Sequence, residues 1–168
     1  LLKETEFYPH NLGEGKLSNA EENEVDYYKG IAYQKLGNDA ESTKYLMKAT
    51  QGSTEPQQAF YYNDQQPDKI FYQGLAWRAL GEENKARSRF NKLIDHGKKH
   101  LFDDCKIDYF AVSLPELAIW EDNLNIRNQI HCYYVMALGY SGLGKEELAE
   151  EYYEKVKRLD VNKQVFRM

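Results

Sequence analysis

Three times along this chain a small residue, an aromatic ring and a glycine recur in one register: Gly30, Tyr33 and Gly37; Gly74, Trp77 and Gly81; Ala137, Tyr140 and Gly144. The ring stands three residues after the small one, and the glycine four after the ring. Residues three apart share a helix face, so the small residue and the ring meet the same neighbour. A glycine just beyond is placed to end the helix. Few chain paths satisfy this register apart from repeated helical hairpins, each burying a face that its neighbour leaves open.

The segment after each glycine extends the pattern. Five residues on stand Ser42, Ala86 and Ala149; nine on, Leu46, Phe90 and Tyr153; twelve on, Ala49, Leu93 and Val156. Tiny side chains on both helices allow close approach, and the rings fill the gaps that remain. Around this frame the chain predicts further helix signals. Ser18 and Glu21 form a capping-box pair. Asn38 or Asp39 caps the second helix. Thr54-Glu55-Pro56 opens a short helix through Ala59 and Tyr62, and Asp68 opens the next long one. Gly97 ends the helix that begins near Glu82. Phe110 to Val112 is a candidate extended stretch, Ser113 to Glu116 starts a short helix to about Trp120, and Asp122 or Asn123 caps a long helix.

The resulting expectation is an all-α array of hairpins with two insertions. Residues 1–17 form an irregular linker or strap. The array occupies 18–160, with pairs at about 18–52, 67–97 and 122–160 and insertions at about 53–66 and 98–121; residues 161–168 form a truncated further helix or tail.

Composition excludes several roles. No apolar run approaches the ~18 residues a membrane helix needs. The net charge is −5, and the longest basic run is Lys98-Lys99, which argues against a nucleic-acid surface. The two cysteines, Cys105 and Cys132, form no CxxC pair and read as reduced, partly buried thiols. The chain shows no leader and begins Leu1-Leu2. It reads as a piece of a longer, cytoplasmic protein.

The triplets and the positions after them resemble the tetratricopeptide repeat, a helix-turn-helix unit of about 34 residues. Gly37 and Gly81 lie 44 residues apart and Gly81 and Gly144 lie 63 apart, so the two insertions interrupt a regular array. The tail Leu159-Asp160-Val161-Asn162 looks like the family's inter-repeat turn, with valine in place of its proline. The resemblance implies a concave groove lined by the first helix of each pair. In matching register the groove positions are Tyr27, Ile31 and Gln34; Phe71, Leu75 and Arg78; and Tyr134, Leu138 and Ser141. An aromatic row beside a polar row suits a peptide with apolar anchors. The bland alternative is that these rings pack under the insertions or against neighbouring helices. A carboxylate clamp for chaperone tails is disfavoured: Lys35 and Arg78 supply cations, but Tyr28, Tyr72 and Val135 stand where its asparagines belong. More narrowly, YPHNLGEGKL, YYKGIAYQKLG and DYFAVSLPELAIW resemble the repeat region of large proteins of gut Bacteroidetes that carry an N-terminal β-rich domain of unknown function.

No catalytic constellation emerges. His96 and His100 are four apart, with Asp103, Asp104 and Cys105 behind them. Gly97 between the histidines predicts a helix end there and argues against a metal pair. His131 and Cys132 are adjacent, and neighbouring helical residues diverge, so they cannot act as a nucleophile pair. The acidic pairs Glu21-Glu22, Glu82-Glu83 and Glu146-Glu147 sit at helix beginnings, where they complement the helix dipole. There is no phosphate loop, nucleophile elbow or dinucleotide fingerprint. The expected role is non-catalytic binding of an unknown protein, or of another domain of the same polypeptide, without cofactor, metal, nucleic acid or membrane; a homo-oligomer is compatible. The alternative is an accessory sugar-binding region, with Trp120 and Tyr61 or Tyr62 as stacking rings, or a structural, dimerising segment of a larger carbohydrate-related enzyme.

Overall fold

The computed structural model describes residues 21–58, 65–106 and 123–160. They form six helices and, among the described residues, no strand: α1 (Asn23–Lys35), α2 (Asp39–Ala49), α3 (Pro67–Ala79), α4 (Glu83–His100), α5 (Leu124–Gly142) and α6 (Glu146–Leu159). Helices pair as α1/α2, α3/α4 and α5/α6. The first helices touch in succession, α1 on α3 and α3 on α5, and each second helix also reaches the next first helix, α2 on α3 and α4 on α5. The chain is thus an all-α helical repeat array.

The three glycine turns are built alike. Gly37, Gly81 and Gly144 have φ of 73°, 81° and 70°. Each donates to the carbonyl three residues earlier, and the next residue donates to the carbonyl of the register ring: Asn38 to Tyr33 at 3.0 Å, Glu82 to Trp77 at 2.9 Å, Lys145 to Tyr140 at 2.9 Å. This double bond pattern satisfies carbonyls that a helix end leaves open. A side chain at any of the three would meet nothing within 4 Å, so backbone conformation, not space, demands glycine there. Asn38 accepts from the Glu41 amide at 3.2 Å, and Asn123 accepts from those of Asn125 and Ile126. Pro67 occupies the first turn of α3, where its missing N–H costs nothing.

Close packing follows the register. A Cβ at Gly30 would collide with Leu46, and one at Gly74 with the Phe90 ring. Phe90 is fully buried and also lies beneath Gly142 of α5. A second set of contacts was not legible beforehand. Gly97 on α4 faces the Cys132 carbonyl of α5, and Gly139 on α5 faces Ile94 and the Phe90 carbonyl of α4; a Cβ at either would come within 2.6 Å of those atoms. Gly97 therefore sits inside α4 rather than ending it. The helix continues to His100 because the glycine is used for close approach to α5.

Buried amides hold the junctions between pairs. Asn23 donates to the carbonyls of Ala49 and Gln51, each at 2.9 Å. Gln73, fully buried, donates to Gln51 at 2.8 Å and Ser53 at 3.0 Å while accepting from Arg89 Nε at 3.1 Å. Asn128 donates to the His100 carbonyl at 2.7 Å. Asn23 and Asn128 thus satisfy the last carbonyls of α2 and α4, and Gln73 fixes the coil that follows α2.

The helix start expected at Thr54 to Pro56 is not formed: residues 51–58 are bends and coil, and Lys92 of α4 pairs with Glu55 there. Ser18, the strap, the helix through Ala59 and Tyr62, the segment from Phe110 to Trp120 and the C-terminal tail lie outside the described residues.

Candidate functional site

The nine expected groove residues divide into three groups. Phe71 and Leu138 are 3% and 1% exposed and belong to one core cluster with Ile70, Phe90 and Val135. They have almost no surface to offer a partner, which corrects their reading as groove contacts. The cause is α5, which lies against both α3 and α4 and brings Val135 and Leu138 into the core cluster that holds Phe71. Tyr27, Leu75 and Tyr134 are half-buried against that same cluster, and Ile31 packs against Leu46, Ala49 and Ala76. Gln34 and Arg78 are exposed, and Ser141 is half-buried.

Arg78 is committed to the scaffold. Its Nε meets Glu83 Oε2 at 3.0 Å, its Nη2 donates to the Gly142 carbonyl at 2.7 Å, and its guanidinium lies 5.0 Å from the centre of the Phe90 ring. It joins the second pair to the end of α5, where a cation suits the helix dipole.

The rings pack in a lattice. Tyr27, Tyr28 and Tyr72 have centres 5.4–5.7 Å apart, and the Tyr28 and Tyr72 hydroxyls share a hydrogen bond of 3.3 Å. Burial, that hydrogen bond and nearby carboxylates keep Tyr72 protonated far above the usual phenol range. Tyr134 is raised likewise, by burial first and then by Asp68. Burial pushes the Asp68 carboxyl upward as well, against the pull of Lys69. Lys69 is bonded to Glu24 of α1 at 2.6 Å, which ties the first two pairs.

Two clefts open beside these elements. The first, about 600 Å³, lies between the start of α3, the first half of α5 and the end of α6; Pro67, Ile126, Ile130, Tyr134 and Leu159 supply its apolar wall and Gln58, Gln66, Arg127 and Asp160 its polar one. Ile126 and Leu159 are 41% and 39% exposed. The second, about 660 Å³, lies between residues 55–58 and the C-terminal half of α4, with His96, His100 and Asp103 on it. His131 of α5 faces the first cleft and touches His96 edge-on, ring centres 6.0 Å apart. The histidines thus stand between the two. Of the expected groove residues only Tyr134 lies on either cleft; Ile126 and Ile130, two turns and one turn earlier on α5, escaped the register because they precede its first aligned position, Tyr134. Cys132 is buried and its thiol is pushed up to about 12 by burial, far from a reactive thiolate. The other thiol, Cys105, is also free and raised.

Residues 70–96 and 130–162 each match the tetratricopeptide repeat family. The matched stretches cover most of the α3/α4 pair and most of the α5/α6 pair. They contain two of the three register triplets. Tetratricopeptide repeats in general mediate contacts between proteins and are typically non-catalytic scaffolds. No solved structure matches the chain. No helix among the described residues is long and apolar enough to cross a membrane.

Proposed function

We propose that this chain is a non-catalytic binding scaffold that seats a peptide segment, from another protein or from another domain of the same cytoplasmic polypeptide, along the first helices of its pairs. The observation that carries the reading is the cleft of about 600 Å³ beside α5. A pocket of that size, with an apolar wall and a few placed polar groups, fits the general form of a recognition site. Pro67, Ile130 and Tyr134 would receive apolar anchors, and Gln58 and Gln66 would bond the extended backbone of the guest. Tyr134 suits such a role because a half-buried ring loses little conformational freedom on binding. The resemblance of YPHNLGEGKL and DYFAVSLPELAIW to repeat regions of large Bacteroidetes proteins supports a partner domain within the same polypeptide.

The test is selection of peptides from a random displayed library against the whole chain, followed by NMR mapping of the winners. The expected result is a consensus with apolar positions, shifts at Ile126, Ile130 and Tyr134, and loss of binding in Ile130→Asp with the melting curve preserved. Peptides whose shifts map to α2 or to the outer side of α6 would refute the assignment, as would binding untouched by Ile130→Asp. Sugar-induced shifts in place of peptide binding would favour the accessory carbohydrate reading.

A further inference from the structure

The side of α1 that faces away from the rest of the array carries an uncovered apolar stripe, and we propose that it joins a second copy of this chain in a symmetric α1-to-α1 dimer. The repeat supplies the comparison. Two residues after the small residue of each triplet stand Ala32, Ala76 and Gly139; six after it, Leu36, Leu80 and Leu143. In the second and third pairs these positions are closed by the second helix of the pair before. Ala76 and Leu80 pack with Leu46 and Ala49 of α2. Gly139 meets Ile94 and the Phe90 carbonyl of α4, and Leu143 packs on the clusters that hold those two residues. In the first pair the same positions are bare. Among the described residues α1 packs chiefly against α2 and α3, Leu36 is 78% and Tyr28 40% exposed, Ala32 is exposed and Val25 half-buried. These four residues fall on one stripe of the helix and its cap. None of them lines either cleft, so the surface is separate from the peptide site.

The far end of the array and the pattern of the stripe decide what covers it. Thirteen and sixteen residues after its turn glycine, α4 presents Ile94 and Gly97 to α5. At the same positions α6 and its cap carry Lys157 and Asp160. Stacking that end on the α1 stripe of another copy would bury charge against apolar surface, which disfavours head-to-tail growth. Two α1 stripes fit each other instead. Placed antiparallel about a two-fold axis near Gly30, Tyr28 of one copy meets Ala32 of the other and Leu36 meets Val25, and symmetry makes each contact twice. Large side chains then stand against small ones, so the helices interdigitate, as α4 and α5 do at Gly97 and Gly139. The stripe carries no charge, and the exposed Lys35 stays at its rim, the arrangement of an apolar centre with a polar border. One helix from each copy makes an interface at the small end of the specific range, so the dimer is weak and reversible.

The experiment is sedimentation equilibrium of the whole chain between about 10 μM and about 1 mM, the range in which weak complexes form, with ¹⁵N NMR over the same series. The expected result is an average mass that climbs from one chain toward two and no further, with concentration-dependent amide shifts between Val25 and Leu36. Leu36→Asp and Ala32→Lys should each weaken association about tenfold or more by burying an unpaired charge. Both side chains are exposed in the single chain, so the melting temperature of the dilute variants should hold. Leu148→Asp, on α6, should leave association unchanged. A mass fixed at one chain throughout would overturn the proposal, as would assemblies larger than two, shifts confined to α6, or association untouched by both stripe variants.

Discussion

Phe90 is the residue on which three helices close, and a double-mutant cycle tests that directly. Its ring is fully buried, with Gly74 of α3 on one side, Gly142 of α5 on another and Phe71 at 5.8 Å. Phe90→Ala removes the ring and leaves a cavity, at about 3–5 kcal/mol. That is a large share of the roughly 5–15 kcal/mol available to a domain, and it lowers the melting temperature by on the order of 10 °C. Gly142→Ala does the opposite: its new Cβ overlaps Cδ1, Cε1 and Cγ of the ring. The ring is fully buried with Gly74 and Phe71 also beside it, so overpacking costs about 1–3 kcal/mol, offset in part by alanine's better helix propensity. With the ring gone, the methyl group enters the cavity and its cost vanishes. The double variant should therefore be more stable than the sum of the singles predicts by at least about 1 kcal/mol. Urea unfolding followed by circular dichroism measures all four corners. Costs that add to within about 0.5 kcal/mol would show that Phe90 and Gly142 do not share one space, and the packing argument would fail.

Gly81→Val should destabilise by about 1–2 kcal/mol, because the turn holds φ at +81° with open space around it and only the left-handed backbone resists a side chain; an unchanged melting temperature would contradict this. Asn128→Ala should cost about 1–3 kcal/mol by leaving the His100 carbonyl without its donor, and faster hydrogen exchange at the end of α4 would locate the loss. His96 is held down to about 4, first by burial and then by His100. Unfolded, it takes a proton near pH 6.5, so its contribution is fully present above that pH and drains away as pH falls toward 4. The ring is half-exposed, so screening reduces the effect to about 1–2 kcal/mol, and His96→Gln should flatten the stability profile between those values.

Much of the candidate cleft was hidden in the sequence for a definable reason. The register placed Tyr27, Phe71 and Tyr134 at equivalent positions, yet Tyr27 and Tyr134 are half-buried while Phe71 is enclosed. Equivalent positions in a repeat share a helix face but not a neighbour, and burial depends on the neighbour. Ile126 and Ile130 showed no motif, since their use depends on α6 ending beside them at Leu159. Gly97 misled because glycine serves two ends: it closes helices through positive φ, and it permits backbone approach inside them.

What the sequence by itself determined was local. Small residue, ring and glycine specified the three helix pairs of the described residues and their three like turns, because helix-face periodicity and the left-handed turn act over a few residues. Only the tertiary structure decided which of those faces stay open. The close run of α4 along α5 seals Phe71 and Leu138, extends α4 through Gly97 and sets His96 beside His100 and His131. Those outcomes depend on how far apart in space distant helices settle, a distance set by the sum of side-chain volumes at each crossing and written in no single segment.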